Sequence, residues 1–258
     1  MTSEEEYEEE EAPEEEAPKE AAPPTRLVIG LQPVREAIRA HGEKITRVLV
    51  EKGDSPTLAA VARFAKDRGI KVEVVDRGTL DRATKNGRHQ GVIAYCPRVT
   101  LLDIADVDHS CAIALDEIED PQNFGAIVRS AVALGASAVI FPENHAAPLS
   151  PAMFRASAGA VEHASLCRVG ALPSALESLA ARGAVIVGLD ANAEQTLKDA
   201  FTELGDKPTV IVVGAEGKGL RKTVKRVCTK LARLPMSGRI DSLNASVAAA
   251  LALYERKR

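Results

Sequence analysis

Two stretches near the end of the chain combine glycine with polar side chains in an order suited to holding a ligand. The first is Gly214-Ala215-Glu216-Gly217-Lys218-Gly219-Leu220, directly after the apolar run TVIVVG that starts at Thr209. The second is PMSGRIDSLN, residues 235–244, directly after the run Lys230 to Leu234. Glycine lets a ligand approach backbone amides closely. The spacing rules out two common phosphate sites. A Walker loop needs four residues between its first glycine and Gly-Lys-Ser/Thr, and Gly219 stands where the hydroxyl residue belongs. The dinucleotide fingerprint runs G-x-G-x-x-G, whereas the order here is G-x-x-G-x-G. Taken alone, the glycine stretch is equally a turn that joins two core elements. A third polar group, Asn123-x-Gly125-x-x-x-Arg129, lies far upstream. With a non-helical first turn, Asn123 and Arg129 would face one cleft and Gly125 would permit close approach. Singly, Asn123 reads as an N-cap and Arg129 as a surface charge.

The flanking elements must position these groups. TVIVVG is β-branched and apolar, the pattern of a buried strand. Lys230 to Leu234 is a second strand, ended by Pro235. Ser242 or Asn244 is a good N-cap for the alanine-rich helix that runs to Tyr254. Both loops therefore follow strands, and open α/β sheets bind ligands at the carboxyl ends of strands. Upstream, DPQNFGAIVRSAVALGASAVIF reads as turn, helix and strand, after the strand CAIALD. A helix is expected over Pro151 to Ala160, then strand SLCRV, helix LPSALESLAARG and strand AVIVGLD.

From Arg26 to Cys96 helices and strands also alternate. They predict a helix over Leu31–Ala40, strand RVLVE, helix TLAAVARFAKDR closed by Gly69, strand KVEVV, a short helix TLDRAT and strand VIAYC. Pro97 to Asp108 reads as a linker. The expected division is an acidic tail at 1–25, a small α/β domain at 26–97, a linker at 98–109 and a larger α/β domain at 110–258.

The net charge of −4 conceals two opposed parts. Residues 1–24 hold eleven Glu and one Lys, while the rest holds 32 Lys and Arg against 26 Asp and Glu. The acidic part lacks the apolar side chains needed to fold and reads as a solvated, flexible tail; another reading is competition with RNA for a basic surface. The modestly basic body suits a polyanion. No apolar run approaches membrane-spanning length, and the acidic start does not suit a signal or transit peptide. Four scattered cysteines, Cys96, Cys111, Cys167 and Cys228, show no metal-ligand spacing and read as reduced thiols.

GAEGKGL (214–220), PM-x-G-x-x-x-SLN-x-S-x-A (235–248) and N-x-G-x-x-x-R (123–129) together resemble the three motifs of the SpoU (TrmH) family of RNA ribose 2′-O-methyltransferases. GLQPV-x-EAI (30–38) and HQGVIA (89–94) resemble that family's RNA-binding domain, and Ser157-Ala158-Gly159-Ala160 resembles a segment between the first two motifs. The resemblance covers nearly everything from Gly30 to Tyr254. It implies a C-terminal SPOUT α/β domain tied in a trefoil knot, preceded by a small L30e-like α/β domain. Two departures are visible: Ala171-Leu172 replaces a frequent Asn-Leu, and Ala245 replaces a commoner Val.

The resemblance implies S-adenosylmethionine (SAM) as methyl donor, no metal, ribosomal RNA as partner and a homodimer, and the reduced thiols and acidic start suit a cytoplasmic location. Gly214, Ala215, Gly217, Gly219, Leu234, Met236 and Leu243 would hold the cofactor. Asn123, Arg129, Glu216, Ser242 and Asn244 would form the catalytic group. Family proposals make Arg129 the base, but a guanidinium stays charged in proteins. Arg129 is better suited to holding a phosphate and polarising the 2′-hydroxyl, with Glu216 open as the base. At a dimer interface Arg129 would serve the partner's cofactor. His89 is either a turn residue or an RNA contact, and the other histidines are structural or surface groups. The two-domain layout points to a 23S rRNA guanosine as target. A tRNA guanosine enzyme, a 23S rRNA adenosine enzyme conferring antibiotic resistance, and a non-catalytic ribosome assembly factor are the alternatives.

Overall fold

In the computed structural model the alternating pattern forms two sheets. Residues 25–85, 87–240 and 242–258 are described, so the acidic stretch expected to be a tail lies outside them apart from Thr25. The first sheet holds β1 (Thr25–Ile29), β2 (Arg47–Glu51), β3 (Val72–Val75) and β4 (Val92–Pro97) in the order β1-β4-β2-β3. β4 runs antiparallel to β1 and β2, and β2 parallel to β3. Side chains alternate between faces along a strand. Val48 and Val50 thus meet Val34, Ile38 and Val61 of α1 (Leu31–His41) and α2 (Pro56–Lys66), whereas Leu49 meets Leu80 of α3 (Arg77–Thr84). Gly69 closes α2 as expected. Its φ is 72°, its N–H donates to Lys66 O at 2.9 Å, and the N–H of Ile70 turns back to Ala65 O at 3.1 Å.

The second sheet is parallel throughout, in the order β11-β9-β10-β6-β7-β8-β5. Its strands are β5 (Leu101–Leu102), β6 (Cys111–Asp116), β7 (Ala138–Pro142), β8 (Leu166–Val169), β9 (Val185–Leu189), β10 (Thr209–Gly214) and β11 (Lys230–Ala232). The central strands are apolar on both faces because helices cover both. Ile113, Val139 and Ile211 share one core with Ile127 of α4 (Pro121–Ala133), Phe201 of α7 (Leu197–Leu204) and Ala249 of α9 (Ala245–Lys257). Ala112, Ile140 and Val210 share the other with Leu176 of α6 (Leu172–Ala181) and Val224 of α8 (Lys222–Val227). Within the stretch read as a linker, β5 pairs with β8 and extends this sheet.

The helix expected over Pro151 to Ala160 is shorter. α5 spans Pro151–Ala156, and a 3-10 turn follows at Ala160–His163. Ala158 (φ 50°) and Gly159 (φ 89°) are left-handed, which breaks the helix between them.

Candidate active site

β10 lies between β6 and β9, so the loops after these strands open at the same edge of the sheet. Gly214 pairs in register with Asp116 of β6. The glycine loop then folds back on itself: Gly219 N–H donates to Ala215 O at 2.8 Å. A Cβ on Gly214 would sit 2.3 Å from the carbonyl carbon of Gly219, so this neck tolerates no side chain. Gly217 and Gly219 serve differently. Both have positive φ, 76° and 66°, and a Cβ on either would enter open space. The loop's far end is pinned by Asp116, which is fully buried and accepts from the Arg221 backbone N–H at 2.8 Å and its Nε at 2.7 Å.

Asn244, the second of the two anticipated caps, starts α9. Its Oδ1 accepts from Ser246 N at 2.9 Å, Val247 N at 3.3 Å and Ser246 Oγ at 2.6 Å. This leaves the amide nitrogen facing away from the helix. Asn244 Nδ2 donates to Asn123 Oδ1 at 2.8 Å and to Glu216 Oε2 at 3.2 Å. One side chain thus joins groups from α4, the glycine loop and the start of α9.

Asn123 is not an N-cap. Asp120 caps α4, accepting from Gln122 N at 3.1 Å and Asn123 N at 3.2 Å, and Pro121 begins the helix. The expectation of a non-helical first turn is therefore wrong, and with it the shared cleft. Six helical positions leave Asn123 and Arg129 roughly 120° apart around the axis. Arg129 is exposed and is not among the residues lining the cavity described next. Gly125 also differs from expectation. A Cβ there would lie 2.5 Å from Ala156 Cβ and Met153 O, so its role is close packing of α4 on α5.

A cavity of about 630 Å³ opens at the carboxyl edge, within the range of small-molecule sites. The residues anticipated for a cofactor all line it: Gly214, Ala215, Gly217 and Gly219 on one side, Leu234, Met236 and Leu243 on the other. Glu216 and Ser242 line it too, and Asn244, itself bonded to Asn123, holds Glu216. Sequence reading missed the wall formed by Leu189 at the end of β9 and Asp190 to Asn192 beyond it, together with Lys225 and Arg233. A strand followed directly by Asp190-Ala191-Asn192 was the available signal. Asp190 pairs with Lys225 at 2.5 Å and accepts from Asn192 N at 3.0 Å. Burial pushes its carboxyl up, but these partners outweigh burial and hold it below the usual aspartate range. Among the described residues, no group of three or more His, Cys, Asp or Glu is placed to hold a metal ion.

In the small domain, His89 resolves as a turn residue. It is buried, its Nε2 lies 3.0 Å from Asp81 Oδ1, and its Nδ1 accepts from Gly91 N at 3.0 Å. Neighbouring Gln90 accepts from Leu31 N at 3.0 Å and so starts α1, where Gly30 offers no side-chain cap. The GLQPV and HQG segments are thereby brought together.

The profile of the SpoU rRNA Methylase family matches residues 110–254, and that of the RNA 2′-O ribose methyltransferase substrate-binding domain matches residues 27–101. YacO of Bacillus subtilis, which carries the name TrmH family tRNA/rRNA methyltransferase, is 36% identical over 241 residues, covering 90% of this chain and 95% of that protein. The SpoU methyltransferase AviRb of Streptomyces viridochromogenes, solved with its cofactor AdoMet, superposes with a TM-score of 0.71 at 26% identity, covering 91% and 90% of the two chains. An AdoMet-bound rRNA methyltransferase of Sinorhizobium meliloti gives 0.72 at 28% identity, covering 91% and 87%.

Proposed function

Since the chain belongs to the SpoU rRNA Methylase family, we propose that its target is a guanosine in the peptidyl-transferase region of 23S rRNA, the substrate of the RlmB type within that family. It is a SAM-dependent RNA ribose 2′-O-methyltransferase with an α/β fold of the SPOUT class. The observation that carries the reading is Asn244, which joins Asn123 of α4 to Glu216 of the cavity wall. The proposal includes the RNA-binding role of 26–97, the linker at 98–109, the knotted domain at 110–258 and action in the cytoplasm.

The cavity fits the donor. Leu234, Met236 and Leu243 offer apolar walls to an adenine, and the side-chain-free Gly217 and Gly219 leave backbone open to its edges. SAM supplies a methyl group on a sulfonium, already an activated leaving group. The remaining work belongs to this chain's residues. Ser242 shapes the pocket, and Asn123 and Glu216 orient the ribose of the RNA. Glu216 takes the proton of the 2′-hydroxyl. Arg129 holds the adjacent phosphate and favours the oxyanion electrostatically. Holding nucleophile and methyl in line supplies roughly 7–11 kcal/mol of a barrier in well-oriented systems.

Arg129 does this for a second copy. On α9, Val247, Leu251 and Tyr254 are 46%, 43% and 57% exposed, at a spacing that places them on one face. α9 packs on α4, the helix that carries Arg129. A second copy covering this apolar stripe forms a homodimer and brings each Arg129 toward the other chain's cavity.

The test is ribose-methylation mapping of rRNA from a strain lacking the protein, beside methyl transfer from labelled SAM in vitro. One unmethylated 23S guanosine is expected. An unmethylated tRNA guanosine or 23S adenosine would replace the target, and absence of transfer to any RNA would favour a non-catalytic assembly factor.

A further inference from the structure

We infer that Glu162 is a positioning residue that locks the substrate-binding domain onto the methyltransferase domain, so that RNA held by the first is presented to the cavity of the second. This rests on the functional reading above. Glu162 lies in the 3-10 turn after α5, and its side chain is only 1% exposed. The same oxygen, Oε2, receives the Arg26 guanidinium from β1 and His41 Nε2, 2.8 Å away, from the end of α1. Burial pushes the Glu162 carboxyl up, but His41 and Arg26 outweigh it and hold it below the usual range. Arg26 is itself fixed. Its Nε donates to Pro97 O at 3.1 Å, and its guanidinium stacks 5.1 Å from the centre of the Phe154 ring.

A second side-chain contact lies beside the first: His163 Nε2 is 3.0 Å from Glu36 Oε2 of α1. Between them Gly159 lets the backbones touch, since a Cβ there would lie 2.9 Å from Pro33 Cα and 2.9 Å from Glu36 Cβ. The segment SAGAVEH, residues 157–163, therefore has a physical role: it is one half of a joint. Its start also bears on the site. Ser157 N and Ala156 form the surface on which Gly125 of α4 packs, and α4 carries Asn123. A continuous packed path runs from β1 and α1 to the catalytic group.

The sign of the effect separates a joint from a direct RNA contact. Removing a carboxylate from an RNA-facing surface strengthens binding of a polyanion. Loosening a joint does the opposite, because the RNA is no longer presented in register. In the full chain, Glu162→Gln should lower kcat/KM for the rRNA substrate about tenfold, as small misplacements do, while SAM affinity by calorimetry stays unchanged. Small-angle scattering should show a larger radius of gyration for the variant. Each domain has its own core, so both should keep native circular dichroism. Arg26→Met should act likewise, and the double variant should be no worse than the worse single one, because both residues serve one joint. Unchanged or improved kcat/KM for RNA in Glu162→Gln, or additive losses in the double variant, would overturn the inference while the functional reading stood. A wild-type chain that methylates no RNA would sink that reading, and the inference with it.

Discussion

The glycine loop is pinned at both ends, by the Gly214–Gly219 neck and by Asp116 on Arg221, and it faces Leu234, Met236 and Leu243 across one cavity. Arg129 stands exposed on α4, pointing elsewhere. On the proposed reading the cofactor side is built within one chain, whereas the acceptor side is completed by a second copy. The difference is physical. A small ligand that must be gripped by backbone needs a preorganised cradle, and short-range loops supply one. An RNA chain is long and charged, and its phosphate can be held by a residue from another surface. Disturbing the two sides should therefore have separable effects.

The largest effect is expected at Gly219. A valine there must adopt φ near 66° and fill the cavity, so Gly219→Val should abolish both SAM binding by calorimetry and turnover. Retained SAM affinity would remove the loop from the cofactor side. Arg129→Ala should come next, with a loss of about 10²–10³ in single-turnover rate, typical of removing one charge-stabilising group, and with SAM binding intact. Arg129→Lys keeps the charge but not the planar fork and should fall between. Rising pH should partly restore Arg129→Ala as more ribose ionises unaided. Loss of SAM binding in Arg129→Ala would erase the division between the two sides.

Asn244 stands at the boundary, and a matched pair of variants separates its two roles. Asn244→Asp keeps an oxygen to cap α9 but replaces the donor to Asn123 and Glu216 with a negative charge. Its melting temperature should change little while turnover falls. Asn244→Ala should also lose the cap, about 1 kcal/mol of stability. Equal turnover in Asn244→Asp and wild type would show that the cap is the residue's only role.

The smallest effect is expected at Asp190. Its folded pKa is lowered, so its pairing with Lys225 contributes stability above the unfolded pKa and loses it as pH falls through the folded value. The contribution should persist to below the ordinary aspartate value of about 3.9. Asp190→Asn should cost at most about 1 kcal/mol at neutral pH, as a partly exposed pair does, and flatten the acid limb of the stability curve. An unchanged acid limb would place the pair outside the energetics of the cavity wall.

Much of the fold was legible because its signals are local. Runs such as TVIVVG and VIAYC, and the glycine that closes α2, declare strands and a helix end within a few residues. The glycine-loop wall of the cavity and the wall at 234–243 were legible for the same reason, since each follows a strand directly. What escaped was non-local or brief. Nothing near Gly125 tells that α5 will press on it, and Asp120 rather than Asn123 takes the cap because Pro121 begins the helix directly after it. α7 and α8, eight and six residues long, give too few turns for a helical period to stand out. The wall at Leu189–Asn192 lay in a turn that only the strand order brings beside β10. The Glu162 joint needs partners 136 and 121 residues away.

The division between the two sides is tested most directly by mixing two inactive chains. Gly219→Val has a spoiled cavity and an intact Arg129, and Arg129→Ala has the reverse. Co-refolded in equal amounts, they should recover roughly a quarter of wild-type methyl transfer, because half of randomly assembled dimers are mixed and each mixed dimer has one complete site. Recovery at that level would place Arg129 in the partner's site. No recovery, with mixed dimers demonstrably formed, would contradict the account and return Arg129 to its own chain.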